Sequence, residues 1–484
     1  MRPRLHGSEP PWVTLLWWLD RWRGVVFAAL AGVYLLGLNG RWRITSDSAW
    51  YVLQARMMAG DSGMQAGDVA LGATPPGLPV MIAALGGGAG WGTSLVMLVF
   101  AGLALWLCYQ MFVEHADRPT AVLMTTLLAL SGLFMEMAYS LLTELPFMVG
   151  LLLLLWGHER RLKRRKELRL ALGMMLAGVV LMAAFRSVVA VVGGAYVLAE
   201  IVRVIGRKDQ RRLGLRLIGL ACAGAVLLWF FAPAVREDAM FFRYSLQAKT
   251  AEAWWVSVQV FMTEALPEAV FGQDVPPVLA WPASVLVVLA SLIVVRVRLL
   301  WGVLLGVMLV QWIVFLSDPR YVLPVLPLVF YGVWRCGVSL LGQFSEPWRG
   351  MLFVVAALAL VGANVVAVIN VMSEQRSENF YAEYRNGKYA AVVGLAEVIK
   401  EQTPPEAELV VLPDIGLELA VLSERGLAVG EETPDAPRYV VGTFAEIETH
   451  LDSPGNDATA SLLGSASDSR SGAVWELRRV EPNP

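Results

Sequence analysis

The most concentrated polar signal in this chain is the segment 45–61, which reads Thr-Ser-Asp-Ser-Ala-Trp-Tyr and ends in Gly-Asp. Ser46 or Asp47 can cap a helix that runs to Ala59, because short oxygen-bearing side chains accept hydrogen bonds from the free amides at a helix start. A cap is the simpler interpretation of Asp47. The alternative is chemical, since a carboxylate held at the water–lipid boundary can act as a general base on a hydroxyl nucleophile.

A second candidate carboxylate lies inside an apolar stretch. Glu144 is several residues into the run 138–157, and Glu136 stands close by at the end of the preceding apolar run. A carboxylate within a membrane span costs about 2.5–3.5 kcal/mol on insertion scales, so such a residue usually faces a polar cavity and serves a function. The alternative is that the span begins later and that Glu144 is a hydrated residue at the membrane edge.

Arginines at the ends of apolar runs form a third set. Arg186 interrupts two such runs, Arg320 precedes Tyr321 at the start of another, and Arg243 lies in a long connecting segment. The planar guanidinium group fits phosphate and pyrophosphate oxygens, so these residues are candidate phosphate ligands. Arg320 could instead pair with Asp318 or extend to lipid headgroups. Arg186 has no carboxylate close to it in sequence, which favours a functional role.

The composition indicates what must position these residues. The chain has 484 residues, of which 57% are hydrophobic and only 17% charged, whereas soluble domains carry about 25% charged residues. The net charge is +9 over residues 1–372 and −11 over residues 373–484. No basic patch remains outside the loops between apolar runs, which excludes a nucleic-acid-binding protein. We expect a polytopic membrane domain at 1–372 and a small acidic domain at 373–484.

The membrane domain offers about eleven segments long enough to cross a bilayer, for which about 20 mostly apolar residues are needed. These segments are 24–39, 93–113, 119–137, 138–157, 170–185, 187–205, 214–232, 277–295, 299–316, 321–341 and 350–371. Lys and Arg concentrate in alternate loops, which marks those loops as cytoplasmic. The sequence therefore predicts a multi-pass protein of the cytoplasmic (inner) membrane, with its N-terminus in the cytoplasm and its C-terminal domain outside.

One apolar segment does not have the properties of a span. Residues 75–89 are few, begin with two prolines and end in glycines. A crossing there would move the basic cluster at 158–169 to the outside, against the charge rule. We expect instead a helix that lies in or dips into the outer leaflet. The outer loops are then 40–92 and 233–276.

The acidic domain has the pattern of a small α/β unit. Its predicted elements are a helix at 380–402, a strand at Glu408–Leu412, a second helix at 416–425 and strands at Arg438–Phe444 and Ala473–Val480. The stretch Ser453–Ser471 is rich in Ser, Gly, Asp and Ala, and we predict a loop there.

The order of these motifs resembles that of one superfamily. A first outer loop carries Asp47 and Tyr51 on a helix, a Pro-Pro-Gly-Leu-Pro segment follows at 75–79, a second outer loop carries Glu144, and Arg320 with its tyrosine heads a late span. In this order the chain is similar to the GT-C polytopic glycosyltransferases, nearest the protein O-mannosyltransferase and lipid A aminoarabinose transferase branch. The motifs are short, and they are specific through their combination over essentially the whole chain.

The resemblance implies a glycosyltransferase that moves a sugar from a polyprenyl-phosphate-linked donor to a protein, lipid or glycan acceptor on the outer face, with inversion. The first-loop aspartate of such enzymes, which acts as the base or orients the acceptor, corresponds to Asp47. Their second acidic residue corresponds to Glu144, with Glu136 as the competitor. Tyr51 and Arg56 would support the helix and the acceptor side.

Two positions depart from the family pattern. Ser48 stands where many members have Glu after the aspartate, and Thr74 stands where the aminoarabinose branch has Lys before Pro-Pro. The missing carboxylate weakens a metal site, so no cofactor is required by the sequence. A divalent metal, if one takes part, would lie at Asp47 and Glu144.

The chemistry of such a transfer agrees with the residue types. Polyprenyl phosphate is a competent leaving group, so the reaction needs one base and cations that hold the departing phosphate. Arg320 and Arg186, with Tyr321 hydrogen-bonding beside them, would bind that phosphate. The rival interpretation is a membrane transporter or flippase of a lipid-linked or envelope precursor. Transporters usually have internal repeats and broken mid-membrane helices, whereas the ionisable residues here gather at one membrane face.

Overall fold

The computed structural model describes most of the membrane domain and the centre of the C-terminal sheet. The described residues are 17–60, 74–88, 90–163, 165–206, 211–231, 235–236, 250–271, 276–315, 318–341, 343, 345–377, 380, 390–404, 407–411, 419, 422–423, 426–427, 438–443, 446–447, 458–467 and 474–482. Arg243, a candidate phosphate ligand, lies outside these residues.

The membrane domain is a bundle of helices formed from the apolar runs. Its first half contains α1 (Arg23–Leu36), α2 (Ser46–Met58), α3 (Gly77–Ala84), α4 (Trp91–His115), α5 (Arg118–Ala129), α6 (Gly132–Ala138), α7 (Glu144–Lys163) and α8 (Leu168–Phe185). Its second half contains α9 (Val189–Gly206), α10 (Arg211–Phe231), α11 (Ala251–Val260), α12 (Leu266–Phe271), α13 (Pro277–Val297), α14 (Leu299–Phe315), α15 (Leu326–Leu341) and α16 (Glu346–Arg376). Short 3₁₀ turns lie at Arg165–Glu167 and Pro319–Val325, and a π-helical turn at Phe261–Ala265 joins α11 to α12.

The exposed surface of these helices is largely apolar. Leu176, Leu220 and Val278 are 66%, 69% and 83% exposed, and an apolar surface of this kind is suited to lipid rather than water. Five of the described helical segments are long and apolar enough to cross a membrane, and the pair α5–α6 would make a sixth. The chain is therefore a mostly helical, multi-pass membrane protein. A helix overlaps each of the eleven predicted segments, but eleven crossings are not confirmed.

The pair α5–α6 is bent by 64°, and this bend precedes the segment that leads to Glu144. Ser131 starts α6, where its hydroxyl accepts a hydrogen bond from the backbone of Phe134. The chain leaves helical structure at Tyr139 and returns to it only at Glu144. The predicted span at 138–157 therefore begins six residues too early, and Glu144 lies in the first turn of α7.

The apolar segment 75–89 contains only the eight-residue helix α3. At 1.5 Å per residue this helix is about 12 Å long, well short of a bilayer core of about 30 Å. It packs closely on the end of α8, where a Cβ atom added to Gly77 would lie 2.5 Å from the carbonyl oxygen of Ala184. The length of α3 fits the prediction that this segment does not span the membrane, and its place in the outer leaflet stays a prediction.

The C-terminal residues form one five-stranded mixed sheet. Its strands are β1 (Glu408–Val411), β2 (Gly426–Leu427), β3 (Arg438–Thr443), β4 (Ala458–Ser467) and β5 (Val474–Pro482), in the order β2-β1-β3-β5-β4. Strand β1 pairs in parallel with β2 and β3, whereas β5 is antiparallel to β3 and β4. The described helix α17 (Ala390–Gln402) lies on this sheet, where Val398 contacts Gly464 of β4. The small α/β unit is confirmed.

Three expectations for this domain differ from the structure or fall outside it. The predicted loop at 453–471 is wrong, because β4 occupies most of it and pairs with β5 along nine residue pairs. Ladder hydrogen bonds with β5 stabilise this strand despite its small, weakly apolar side chains. The predicted helix at 416–425 lies mostly outside the described residues. The predicted domain boundary at 372/373 falls four residues before the end of α16.

Candidate active site

The site begins with two extended segments that run side by side at one end of the bundle. Arg43 and Ser140 form a parallel β-bridge. The segment of Arg43 enters α2, and the segment of Ser140 enters α7. Because Asp47 and Glu144 stand in the first turns of these helices, the bridge brings the two predicted carboxylates to the same end of the fold.

Thr45 caps α2, which corrects the first expectation for this helix. The Thr45 hydroxyl accepts a hydrogen bond from the backbone of Ser48 at 3.2 Å, and the Ser48 hydroxyl accepts one from the backbone of Thr45 at 2.8 Å. This reciprocal pair satisfies two amides that would otherwise be free. Asp47 is the second residue of the helix and does not cap it, so its 47% exposed side chain is available for another role.

Asp47 contacts Arg320. Its Oδ2 lies 2.8 Å from Nη2 of Arg320, and Oδ2 of Asp318 lies 3.1 Å from Nε of the same arginine. Arg320 also donates a hydrogen bond from Nη2 to the hydroxyl of Tyr321 at 2.7 Å. The expected local pairing with Asp318 is therefore present, but the guanidinium is shared with a carboxylate from a distant helix.

Glu144 contacts Arg186. Its Oε1 accepts a hydrogen bond from Nη1 of Arg186 at 2.6 Å. Glu144 is only 2% exposed, so it is not a hydrated residue at the membrane edge even though α7 begins later than predicted. Its Oε2 is buried without a hydrogen-bond partner in the described part of the chain. Arg186, which has no acidic neighbour in sequence, obtains its carboxylate through the fold.

Tyr321 joins the two ion pairs. The guanidinium carbon of Arg186 lies 4.8 Å from the centre of its ring, and that of Arg320 lies 4.7 Å from it. Two cations against one ring repel each other, and the nearby carboxylates offset this repulsion. We call the five residues together the charge cluster: Asp47, Arg320, Tyr321, Arg186 and Glu144.

Tyr51 lies beside the charge cluster, one turn after Asp47 on α2. Its hydroxyl shares a hydrogen bond with the side chain of Thr143, the residue before α7. Burial raises the pKa of Tyr51 above its ordinary value, and the negative charge of Asp47 raises this pKa further. Tyr51 is therefore neutral near pH 7 and acts as a hydrogen-bonding group between α2 and α7. The predicted role of Tyr51 in supporting the helix is compatible with this position.

Two predicted residues lie away from the charge cluster. Glu136, the competitor of Glu144, has its Oε1 3.8 Å from Nη1 of Arg43. Arg56 is in the last turn of α2, about 13 Å along the helix from Asp47 at 1.5 Å per residue. Arg43 itself was not singled out from the sequence. The signal that could have found it is a charged side chain next to the candidate helix, in a region with few charges.

Few side chains of the charge cluster could bind a divalent cation. The described residues contain no group of three or more His, Cys, Asp or Glu side chains that could hold a metal ion. Asp47 and Glu144 each contact an arginine. Two guanidinium groups and a phenol hydroxyl form the donor set of an anion site, since these groups donate hydrogen bonds to phosphate oxygens.

The fold that carries this site is shared with solved structures of other proteins. No family model and no curated protein matches the sequence, but solved structures do. ArnT from Cupriavidus metallidurans, a lipid A aminoarabinose transferase, superposes in its apo state with a TM-score of 0.61 and 15% identity, over 94% of this chain and 97% of that chain. At this identity the likeness shows the fold alone, which is the GT-C fold that the sequence resemblance implies.

Two further structures give the same result. ArnT from Cupriavidus metallidurans bound to undecaprenyl phosphate superposes with a TM-score of 0.58 and 16% identity, over 94% of this chain and 98% of that chain. An oligosaccharyltransferase from Archaeoglobus fulgidus, tethered to an acceptor peptide with the NVT sequon, has a TM-score of 0.57 and 11% identity. This likeness covers 95% of the present chain and 74% of the archaeal one.

Proposed function

We propose that this protein is an inverting glycosyltransferase that moves a sugar from a polyprenyl-phosphate-linked donor to an acceptor on the outer face of the cytoplasmic membrane. The acceptor is a protein, a lipid or a glycan. In this proposal the N-terminus lies in the cytoplasm, and the charge cluster and the C-terminal sheet lie outside. The base is Asp47, and the donor phosphate is bound by Arg320, Arg186 and Tyr321.

One observation carries the proposal: Arg320 contacts Asp47 directly, at 2.8 Å. An exposed carboxylate thus lies next to an anion site of two arginines on one tyrosine ring. A transfer from a sugar phosphate needs these two parts side by side, because the proton leaves the acceptor while negative charge collects on the phosphate. A carboxylate paired with one arginine elsewhere in the bundle would lack the second cation.

The proposed reaction is a single displacement. The acceptor hydroxyl oxygen forms a bond to the anomeric carbon while Asp47 takes the hydroxyl proton. The bond from the anomeric carbon to the phosphate oxygen breaks, and its electron pair stays on polyprenyl phosphate. The two arginines then face more negative charge than they did in the donor, so they stabilise the transition state more than the ground state.

Glu144 has a supporting role in this scheme. Its Oε1 pairs with Arg186, whose guanidinium lies over the ring of Tyr321. This ion pair holds the cation beside the proposed phosphate site. The proposal of a polyprenyl donor is supported by the similar structure that holds undecaprenyl phosphate.

The test uses the purified full-length chain in proteoliposomes. Synthetic polyprenyl-phosphate hexoses and pentoses, each radiolabelled in the sugar, are supplied with an envelope fraction from cells that lack the protein. We expect label to pass from the donor to an acceptor that chromatography separates from it with the unmodified chain, and not with the Asp47→Asn variant.

The same proteoliposomes test the alternative function, that of a transporter or flippase. For that function, labelled donor would change its leaflet without loss of the sugar–phosphate bond, as measured by its accessibility to an external phosphodiesterase. Movement of intact donor by both the unmodified chain and the Asp47→Asn variant, without any transfer, would contradict the proposed function.

A further inference from the structure

A buried arginine four residues before Asp47 joins the end of α16 to the segment that enters α2. Arg43 is 2% exposed, and its Nη2 lies 2.6 Å from Oε2 of Glu374. The same Nη2 donates to the carbonyl oxygen of Val371 at 3.2 Å, and Nε donates to Oε1 of Gln375 at 3.1 Å. A buried guanidinium needs such partners, because it has lost its contacts with water.

Gln375 extends this contact to the neighbours of Arg43. Its side-chain amide donates hydrogen bonds to Oδ1 of Asn39 at 3.1 Å and to the carbonyl oxygen of Arg41 at 3.3 Å. Its backbone oxygen accepts a hydrogen bond from Nδ2 of Asn39 at 2.5 Å. The last two turns of α16 are therefore bonded to the chain segment 39–43, immediately before the helix of Asp47.

Arg43 also contacts the segment that leads to Glu144. Its Nη1 lies 3.8 Å from Oε1 of Glu136, and its backbone forms the parallel bridge to Ser140. The Ser140 hydroxyl donates to the carbonyl oxygen of Glu136 at 2.9 Å, which fixes the turn after α6. Asp47 follows Arg43 by four residues, and Glu144 follows Ser140 by four. Arg43 thus lies where the approaches to both carboxylates meet.

We propose that Arg43 is a positioning residue through which the end of α16 sets the relative position of Asp47 and Glu144. The planar guanidinium reaches partners in three directions at once, which the single ammonium of lysine does not do. The consequence for turnover rests on the proposed transfer reaction.

Arg41 offers a matched control. It stands two residues before Arg43 on the same segment and donates a hydrogen bond to the carbonyl oxygen of Ser377. Arg41 is only partly buried, and it forms hydrogen bonds with Asn39, Gln375 and Ser377. The variants Arg41→Lys and Arg43→Lys thus make the same substitution, but only the second is expected to disturb the approach to Glu144.

The experiment measures hydrogen–deuterium exchange and kinetics on the full-length protein in nanodiscs. For Arg43→Lys we expect faster exchange in peptides that cover both 44–50 and 140–147. We also expect turnover to fall about 10- to 100-fold with an unchanged donor KM, as for a misplacement of reacting groups by about 1 Å. Arg41→Lys should resemble the unmodified protein in both measurements. Glu374→Gln removes the negative charge of a 25% exposed partner of Arg43 and should give a smaller change of the same kind. This variant tests the inference if Arg43→Lys does not fold.

The outcomes separate this inference from the proposed function. Exchange that changes only near 371–377, or not at all, would overturn the positioning role. Unchanged turnover in Arg43→Lys, beside an active unmodified protein, would overturn it too. If the unmodified protein transfers no sugar, the proposed function fails, while the exchange of the two peptides still decides whether Arg43 couples α16 to both segments.

Discussion

Oδ2 of Asp47 and Nη2 of Arg320 lie 2.8 Å apart, so the proposed base and the proposed phosphate ligand are in direct contact. The contact holds the carboxylate at the edge of the anion site. A donor phosphate that binds Arg320 competes with Asp47 for the same guanidinium. Binding of donor would therefore release the carboxylate to accept a proton at the moment when the acceptor must lose one.

The first prediction concerns Asp47. Asp47→Asn removes the base but keeps the fold, because the side chain is half exposed and Thr45 caps the helix. We expect transfer to fall by roughly 10²- to 10⁴-fold, the range for loss of a general base, in an initial-rate assay with labelled donor. Asp318→Asn is the matched control, since Asp318 pairs with the same arginine and should lose far less activity. Equal losses in the two variants would mean that both carboxylates act only by holding Arg320.

The second prediction concerns Arg320. Arg320→Ala should lower both turnover and donor affinity, because the guanidinium interacts with the phosphate before and after transfer. Arg320→Lys keeps the charge but loses the planar fork, so its activity should lie between those of the alanine variant and the unmodified protein. Donor titrations of initial rates measure both quantities.

Arg298→Lys is the control for that series, because Arg298 pairs with Glu159, in a predicted cytoplasmic loop. Its kinetics should match those of the unmodified protein. Intact donor binding and turnover in both Arg320→Ala and Arg186→Ala would move phosphate recognition to the loop 233–276, where Arg243 and Lys249 would be the next residues to change.

The third prediction concerns stability. Arg186→Ala leaves the carboxylate of Glu144 buried without its cation, and loss of one partner of a buried pair costs about 3–5 kcal/mol. We expect a clear drop in the unfolding temperature of the purified protein. The double variant Arg186→Ala with Glu144→Gln should recover much of this stability, because no unpaired charge remains, but it should not recover transfer. A single variant as stable as the unmodified protein would show that Glu144 is not held by this ion pair.

The fourth prediction concerns topology. Because α3 has only eight residues, positions on both sides of it should lie on the outer face. In a background without native cysteines, an impermeant maleimide added to intact cells should label both Thr74→Cys and Gly92→Cys. Lys166→Cys, in the predicted cytoplasmic loop, should be labelled only after permeabilisation. Labelling of position 92 from the cytoplasm alone would contradict the topology up to residue 157.

The amino-acid sequence by itself determined the helical membrane fold and the residue types of the candidate site. Runs of apolar residues specify membrane helices locally, because each helix satisfies its own backbone hydrogen bonds in lipid. Asp47, Arg186 and Arg320 could be selected from the sequence as well, since charged residues within or beside apolar runs are few and often serve a function. The capping residue was missed by one position, because Thr45, Ser46 and Asp47 all suit a cap and only the backbone geometry distinguishes them.

The tertiary structure alone decided which charges meet. Glu144 pairs with Arg186, whereas Glu136 points to Arg43, and nothing in the spacing of these residues separates the two carboxylates. Strand β4 is a similar case, because its stability depends on hydrogen bonds to β5 rather than on its own side chains. Ion pairs and strand pairs join residues far apart in the chain, and their energies depend on distance in space and on burial. A sequence gives the candidates for such contacts, and the packing of the helices selects among them.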